Sequence, residues 1–187
     1  MRIVTGTAKG RALETLEGEL TRPTGAKVKE AVFSALQFDI EGRSFLDLFA
    51  GSGQMGLEAL SRGARRAVFV DSSKDAIDLV KRNAKKTGLF DASHFLVSDF
   101  RSYIRKASGK ESFNIIYIDP PYKEHWAKEA VRLILKAGIA APHCIFIAES
   151  EEEDIFDGDT PKELSILKKK RYGNSYVTVF TKKQTEE

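Results

Sequence analysis

Cysteine is nearly absent from this 187-residue chain: Cys144 is the single one. No disulfide can form within the chain, which fits a reducing compartment. Cys144 lies in the run Cys144-Ile145-Phe146-Ile147-Ala148 and reads as a small core residue of a strand. The three histidines, His94, His125 and His143, are scattered without metal-ligand spacing, so no metal site is expected. No apolar run approaches the roughly 20 residues of a membrane span. The opening residues Met1-Arg2-Ile3-Val4-Thr5-Gly6 lack the apolar stretch of a secretion signal. A cytoplasmic protein with no membrane partner is the expectation. Charge of one sign is also lacking: 30 Lys and Arg against 27 Asp and Glu leave a net +3. So small an excess does not mark a nucleic-acid binder, and the placement of the charges matters more.

What is present is an ordinary globular balance of 42% hydrophobic and 30% charged residues, enough for one domain with a sizeable core. Short apolar runs at 45–48, 67–70, 94–97, 114–118 and 145–147 read as strands. Their continuous apolarity suits a parallel sheet covered on both faces. Amphipathic stretches between them predict helices from about Gly53 to Gly63, from Ser73 to the basic turn before Gly88, and over 124–137. This alternation predicts an α/β fold with a mostly parallel sheet. Outside it, residues 2–5 and 11–16 are β-like and flank Gly6 to Gly10, followed by a helix over roughly 26–36. At the other end, 165–172 and 176–181 are split by Gly173-Asn174 and predict a hairpin that closes the sheet.

The stretch Asp47-Leu48-Phe49-Ala50-Gly51-Ser52-Gly53-Gln54-Met55-Gly56 joins the first parallel strand to its helix. Gly51 and Gly53 permit a tight turn and close approach of a ligand. Loops at the carboxyl ends of such strands are where ligands bind. Two cofactors compete for this loop. With Asp71 twenty residues on, the glycine pattern resembles a nicotinamide dinucleotide fingerprint, and hence an NAD-dependent oxidoreductase. The other is S-adenosylmethionine, whose ribose also needs a carboxylate after the second strand. Asp47 favours S-adenosylmethionine, because a carboxylate near the loop repels a pyrophosphate and suits ammonium and sulfonium charges. Asp71 is then the ribose acceptor, or more plainly a helix cap. Asp99 follows the third strand and would accept the adenine amino group, with Phe100 packing near the ring; a helix cap is again the plainer reading.

The fourth strand runs into Asp119-Pro120-Pro121-Tyr122. Two prolines fix φ and remove two amide donors, leaving a stiff edge of acceptors. The Asp119 carboxylate and the Pro120 carbonyl can hold both N–H groups of an exocyclic base amine and turn its lone pair outward. Tyr122 can stack on the base, worth roughly 1–3 kcal/mol. This is positioning and preorganised electrostatics, not prior removal of a proton. The plainer reading is a rigid turn after a strand.

With the glycine loop and this tetrapeptide, the chain resembles Rossmann-like amino-methyltransferases. Arg2-Ile3-Val4-Thr5-Gly6, Gly10-Arg11-Ala12-Leu13, Thr21-Arg22-Pro23-Thr24 and Val28-Lys29-Glu30-Ala31-Val32-Phe33 narrow the resemblance to the RsmD family of 16S ribosomal RNA guanine-N2 methyltransferases. The resemblance spans nearly the whole chain. It implies a class I fold: a seven-stranded sheet with the last strand antiparallel, and a small N-terminal β-hairpin extension. The whole is one methyltransferase domain, with residues 1–23 as an RNA-binding extension and 24–187 as the catalytic core. It also implies S-adenosylmethionine as donor, S-adenosylhomocysteine as product and guanine N2 in small-subunit RNA as acceptor. Cofactor contacts fall on Asp47, Phe49, Gly51, Gly53, Asp71, Asp99 and Phe100, and catalysis on Asp119, Pro120, Pro121 and Tyr122. The tetrapeptide alone is also shared with adenine and cytosine amino-methyltransferases, so an adenine-N6 methyltransferase of DNA or RNA is the alternative.

Two basic clusters are candidates for holding ribosomal RNA or a small-subunit particle. Residues 1–29 carry Arg2, Lys9, Arg11, Arg22, Lys27 and Lys29 against three acids, with Thr24 nearby; Lys168-Lys169-Lys170-Arg171 begins the last hairpin. The plainer reading of the lysine run is a protected sheet edge. Gly6 and Gly10 would allow close backbone contact with RNA. The acidic run at 149–154 is expected to be a solvated loop turned away from the substrate, and the protein to act as a monomer.

Overall fold

The computed structural model describes residues 1–16, 23–121 and 125–183, without the side chains of Pro23 and Thr24. Arg22 and Tyr122 lie outside the described residues, as does the Thr24 side chain. Seven strands form one sheet: β1 (Ser44–Asp47), β2 (Arg66–Asp71), β3 (Ser93–Val97), β4 (Phe113–Ile118), β5 (Ala140–Ser150), β6 (Leu164–Tyr172) and β7 (Ser175–Lys182). Five helices accompany them: α1 (Pro23–Ala35), α2 (Gln54–Ser61), α3 (Lys74–Thr87), α4 (Phe100–Ala107) and α5 (Trp126–Ala137). The strand order is β3-β2-β1-β4-β5-β7-β6. β1 to β5 are parallel, and β7 runs antiparallel to both β5 and β6.

The order of the last strands follows from their side chains. β7 carries Val177, Thr178, Val179 and Phe180, all buried, and takes the inner position between β5 and β6. β6 carries Lys168, Lys169, Lys170 and Arg171, all exposed, and forms the edge, where lysines discourage pairing with another chain. β5 is much longer than the predicted 145–147. The register against β4 shifts between Phe113 and Ile115, and His143 has φ +56°. Pro142 and this irregularity interrupt the strand's pattern, so the sequence revealed only its second half.

The sheet divides the core in two. One face packs Ile3, Leu13, Val28, Phe33, Leu57, Ile77 and Val80 against Phe45, Phe69 and Ile147. The other packs α4 and α5, through Tyr103, Ile104, Val131 and Ile134, against Leu46, Val68, Ile116 and Phe146. Cys144 is fully buried in β5, as a small core residue should be.

The N-terminal β-hairpin is short: Arg2 bridges Ala12, and Leu13, Ile3 and Gly10 N–H donate to the Met1, Arg11 and Ile3 carbonyls at 2.9, 3.0 and 2.9 Å. The backbone donors of the intervening segment go to α2. Val4 and Thr5 N–H donate to the Glu58 carboxylate at 2.8 and 3.0 Å. Thr7 N–H donates to the Ser61 carbonyl at 2.8 Å and Ala8 N–H to Ser61 Oγ at 3.0 Å. Gly6 is required by the fold: a Cβ there would lie 1.7 Å from the Ser61 carbonyl oxygen. Lys29, counted among the candidate phosphate ligands, is also structural. Its side chain is 4% exposed, lies 3.7 Å from Glu58 and donates to the Arg2 carbonyl at 2.6 Å.

Candidate active site

Because β1 to β5 are parallel, Asp47, Asp71, Asp99, Asp119 and Glu149 all fall at or just beyond one edge of the sheet. The strand order reverses between β1 and β4, and such a switch point opens a crevice at the carboxyl ends. The glycine loop flanks it from β1 and Asp119-Pro120-Pro121 from β4. β2 and β3 bring Asp71 and Asp99 to the one side, and β5 brings Glu149 to the other.

The glycine loop is held by the two acids beside it. Gly51 has φ +52° and donates its N–H to Asp71 Oδ2 at 2.9 Å. Gly53 has φ +77°, and a Cβ there would lie 2.6 Å from Val80 Cγ1 of α3. A larger residue is excluded at Gly53 by both conformation and space. Asp71 Oδ1 accepts from Ser73 N–H at 2.8 Å, while Ser73 itself caps α3. Asp71 is therefore not the helix cap that the sequence offered as an alternative; it links two loops at the crevice.

Asp47 is 1% exposed. Its Oδ2 accepts from Gly56 N–H at 3.2 Å, but among the described residues Oδ1 has no hydrogen-bond partner. Burial pushes its carboxyl up from the ordinary 3.8 to about 8; the Gly56 N–H opposes this and the neighbouring Asp71 adds to it. A buried acid with an orphaned oxygen is costly unless a cation or donor meets it. A raised carboxyl stabilises the fold below the pKa of the unfolded chain, and that contribution is lost as pH rises through the folded value. In the absence of ligand, wild-type protein should therefore lose more stability between about pH 4 and 8 than Asp47→Asn does. Thermal unfolding across that range checks this; parallel curves would contradict it.

Asp99 is exposed and caps α4, accepting from Ser102 N–H at 3.1 Å, so the plainer sequence reading is realised. The Ser102 hydroxyl, and then its backbone N–H, hold the Asp99 carboxyl below the usual range. Phe100 is buried against Phe49 and Trp126, with ring centroids 5.2 and 5.5 Å apart. Arg101 covers the cluster, its guanidinium 4.5 Å from the Phe100 centroid and 5.3 Å from Trp126, while pairing with Glu129. Trp126 went unnoticed in the sequence, although it is the chain's one tryptophan and follows Asp119-Pro120-Pro121 closely.

Asp119 is half-buried at the end of β4, Pro120 is buried and Pro121 exposed. Beside them Tyr117 donates its hydroxyl to Glu149 Oε1. Glu149 is 8% exposed and belongs to β5, where it pairs with Val177. This corrects the expectation of a solvated acidic loop: the run begins inside the sheet and lines a recess with Pro120, Pro121 and His125. Further along, the run folds back on itself, with Asp154 accepting from Phe156 and Gly158 N–H.

The basic candidates are placed as follows. Arg2 and Lys9 are exposed on the N-terminal segment. Arg11 is exposed but donates to the Lys86 carbonyl at the end of α3. On β6, Lys170 lies over Tyr172, and Arg171 donates to the Gly173 carbonyl.

A parallel five-stranded half continued by an inserted antiparallel β7 departs from the 3-2-1-4-5-6 order of dinucleotide-binding folds. With a glycine loop and an Asp-Pro-Pro edge across the switch point, it is the class I, Rossmann-like methyltransferase fold. A family model described as conserved hypothetical protein 95 matches residues 1–181, and the chain belongs to this family, the RsmD family that its motifs resemble. The Bacillus subtilis protein YlbH is 36% identical over 184 residues, covering 98% of this chain and all of that protein. Ribosomal RNA small subunit methyltransferase D of Haemophilus influenzae is 30% identical over 174 residues, covering 92% of this chain and 89% of its own. The solved structure of Escherichia coli YhhF superposes with a TM-score of 0.87 at 28% identity, covering 99% of each chain. Among the described residues, no helix is long and apolar enough to cross a membrane.

Proposed function

We propose that the protein transfers a methyl group from S-adenosylmethionine to the exocyclic N2 of a guanine in small-subunit ribosomal RNA, acting as a monomer. The observation that carries this reading is the facing of Asp119-Pro120-Pro121 and the glycine loop across the β1/β4 crevice. The name of the Haemophilus influenzae relative supports the RNA substrate.

The residues fit the donor. Asp47 Oδ1 is a buried acceptor suited to an ammonium or sulfonium charge. Gly51 and Gly53 keep the loop free of side chains where a ligand approaches, Asp71 is set to accept from ribose hydroxyls, and Asp99 from the adenine amine. Phe49 and Phe100 form the apolar wall of that site. The donor supplies an electrophilic methyl group. Asp119 and the Pro120 carbonyl grip the two N–H groups of the acceptor amine and hold its lone pair in line. As that nitrogen gains positive charge, the fixed carboxylate stabilises it and then receives a proton. Pro121 keeps the edge stiff, and Tyr122 stacks on the base. A base within a duplex must be flipped out to reach this edge.

RNA is held by residues 1–23 as an extension of the catalytic core formed by 24–187. Arg2, Lys9, Arg11, Arg22 and Thr24, with Lys168, Lys169, Lys170 and Arg171, contact phosphates, so affinity falls with salt. The deciding experiment incubates the protein with labelled donor and undermethylated small subunits, then identifies the modified nucleoside. N2-methylguanosine is expected; N6-methyladenosine, or no transfer to either naked RNA or particle, rejects the reading.

Asp71→Ala should weaken donor affinity by about 10- to 100-fold, the worth of charge-assisted hydrogen bonds of roughly 1.5–3 kcal/mol. Calorimetric titration with S-adenosylmethionine measures it. Unchanged affinity removes Asp71 from the ribose site.

A further inference from the structure

We propose that Asn83 is a positioning residue that ties the N-terminal hairpin to the glycine loop, so that RNA and methyl donor bind cooperatively. The inference rests on the reading above that the hairpin holds RNA, and adds how that contact reaches the donor site. Asn83 is fully buried on α3. Its Oδ1 accepts from Glu14 N–H at 2.8 Å, and its Nδ2 donates to the Glu14 carbonyl and to the Ser52 carbonyl, each at 3.0 Å. The carboxamide thus pairs with the Glu14 backbone as a neighbouring strand would, and directs its other N–H to the glycine loop. Its orientation is fixed, because the flipped amide would set its oxygen against two carbonyls.

Further contacts join the same elements. Val80, three residues before Asn83 on the same face of α3, is the side chain that closes against Gly53. The Ser52 hydroxyl reaches Met1 Sδ at 3.7 Å, so both arms of the hairpin meet this residue of the loop, one directly and one through Asn83. Arg82 and Lys86 flank Asn83 on α3 and lie 3.2 and 3.9 Å from the Glu14 carboxylate. The hairpin exposes Arg2, Lys9 and Arg11. Phosphates that fix these cations fix the hairpin, and through Asn83 the loop on which the donor is proposed to lie. A ligand that orders this shared element leaves less ordering for the second to supply. The coupling is reciprocal by linkage.

The test measures binding of labelled S-adenosylhomocysteine, which cannot turn over, by equilibrium dialysis with and without saturating undermethylated small subunits. Wild type should bind it about tenfold more tightly on the particle. Asn83→Ala should bring that ratio to within about twofold of unity. Because Asn83 is buried, Glu14→Pro serves as a second variant at an exposed position: proline removes the N–H donated to Asn83. It should lower the ratio as Asn83→Ala does. Glu14→Ala, which keeps that N–H and loses the ion pairs to Arg82 and Lys86, should stay within about twofold of the wild-type ratio. A merely structural role would weaken binding equally in both conditions and leave the ratio unchanged. Equal affinity with and without the particle in wild type overturns the inference, as does a wild-type ratio in either folded variant. A loss as large in Glu14→Ala also overturns it, since the ion pairs would then carry the coupling. Failure of wild type to cosediment with the particle overturns the RNA reading as well.

Discussion

Asp119→Ala should lose on the order of a hundredfold or more of its methyl-transfer rate while binding S-adenosylmethionine as wild type does. The rate loss is that of removing one preorganised group aimed at developing charge. The proposed donor side of the crevice lies at β1, β2 and β3, through Asp47, Asp71 and Asp99, and Asp119 follows β4 across the switch point. The two losses should therefore separate. In the proposed mechanism the fixed carboxylate lowers the barrier because it needs no reorientation when the amine nitrogen becomes positive. Asp119→Asn keeps one acceptor oxygen without the charge and should fall between wild type and alanine. Single-turnover rates and donor titrations measured side by side provide the check. Activity within a few-fold of wild type in Asp119→Ala would take this residue out of the mechanism, whatever its effect on affinity.

The largest loss of stability is expected for Glu58→Ala. Glu58 is fully buried on α2 and receives Val4 N–H, Thr5 N–H and Arg62 Nε at 2.8, 3.0 and 2.8 Å. Lys29, buried on α1, lies 3.7 Å away, and burial draws its ammonium below the ordinary range against the pull of Glu58. Deleting this carboxylate strands two backbone donors and leaves a buried cation without its partner. Removing one member of a buried pair costs about 3–5 kcal/mol. Denaturant unfolding measures the loss, and limited proteolysis should show earlier cleavage within residues 1–16. A loss below about 1 kcal/mol would mean that the apolar anchors Ile3, Ala8 and Leu13 hold the segment by themselves. Glu58→Gln keeps an acceptor for one backbone N–H and should lose less.

Both variants concern residues that were unequally visible beforehand. Asp119 stood out because two prolines after an apolar strand form a local pattern with a direct chemical consequence. Glu58 carries no such mark: on a helix it resembles any surface acid, and its role is created by a segment more than fifty residues away. Glu149 was misjudged for a related reason. It opens a run of acids, and such runs are usually solvated; but β5 continues to Ser150 and is paired there by β7, which draws the first acid inside. The N-terminal hairpin was legible from β-like residues around glycines, but its docking on α2 was not, because the acceptors there lie more than fifty residues away.

Taken alone, the sequence determined the alternation of strands and helices, the chemically distinctive loops and the edge at which they meet. Apolar periodicity, glycine tolerance and the restrictions of proline act over a few residues and need no tertiary partner. The interior place of β7 and the exposed place of β6 were also implicit in their apolar and lysine-rich compositions. Only the tertiary structure decided which carboxylates became buried, which oxygen of Asp47 was left without a donor, and that Tyr117 should meet Glu149. These pairings join residues distant in the chain, and their energies depend on the exclusion of water, which arises only when the layers close around them.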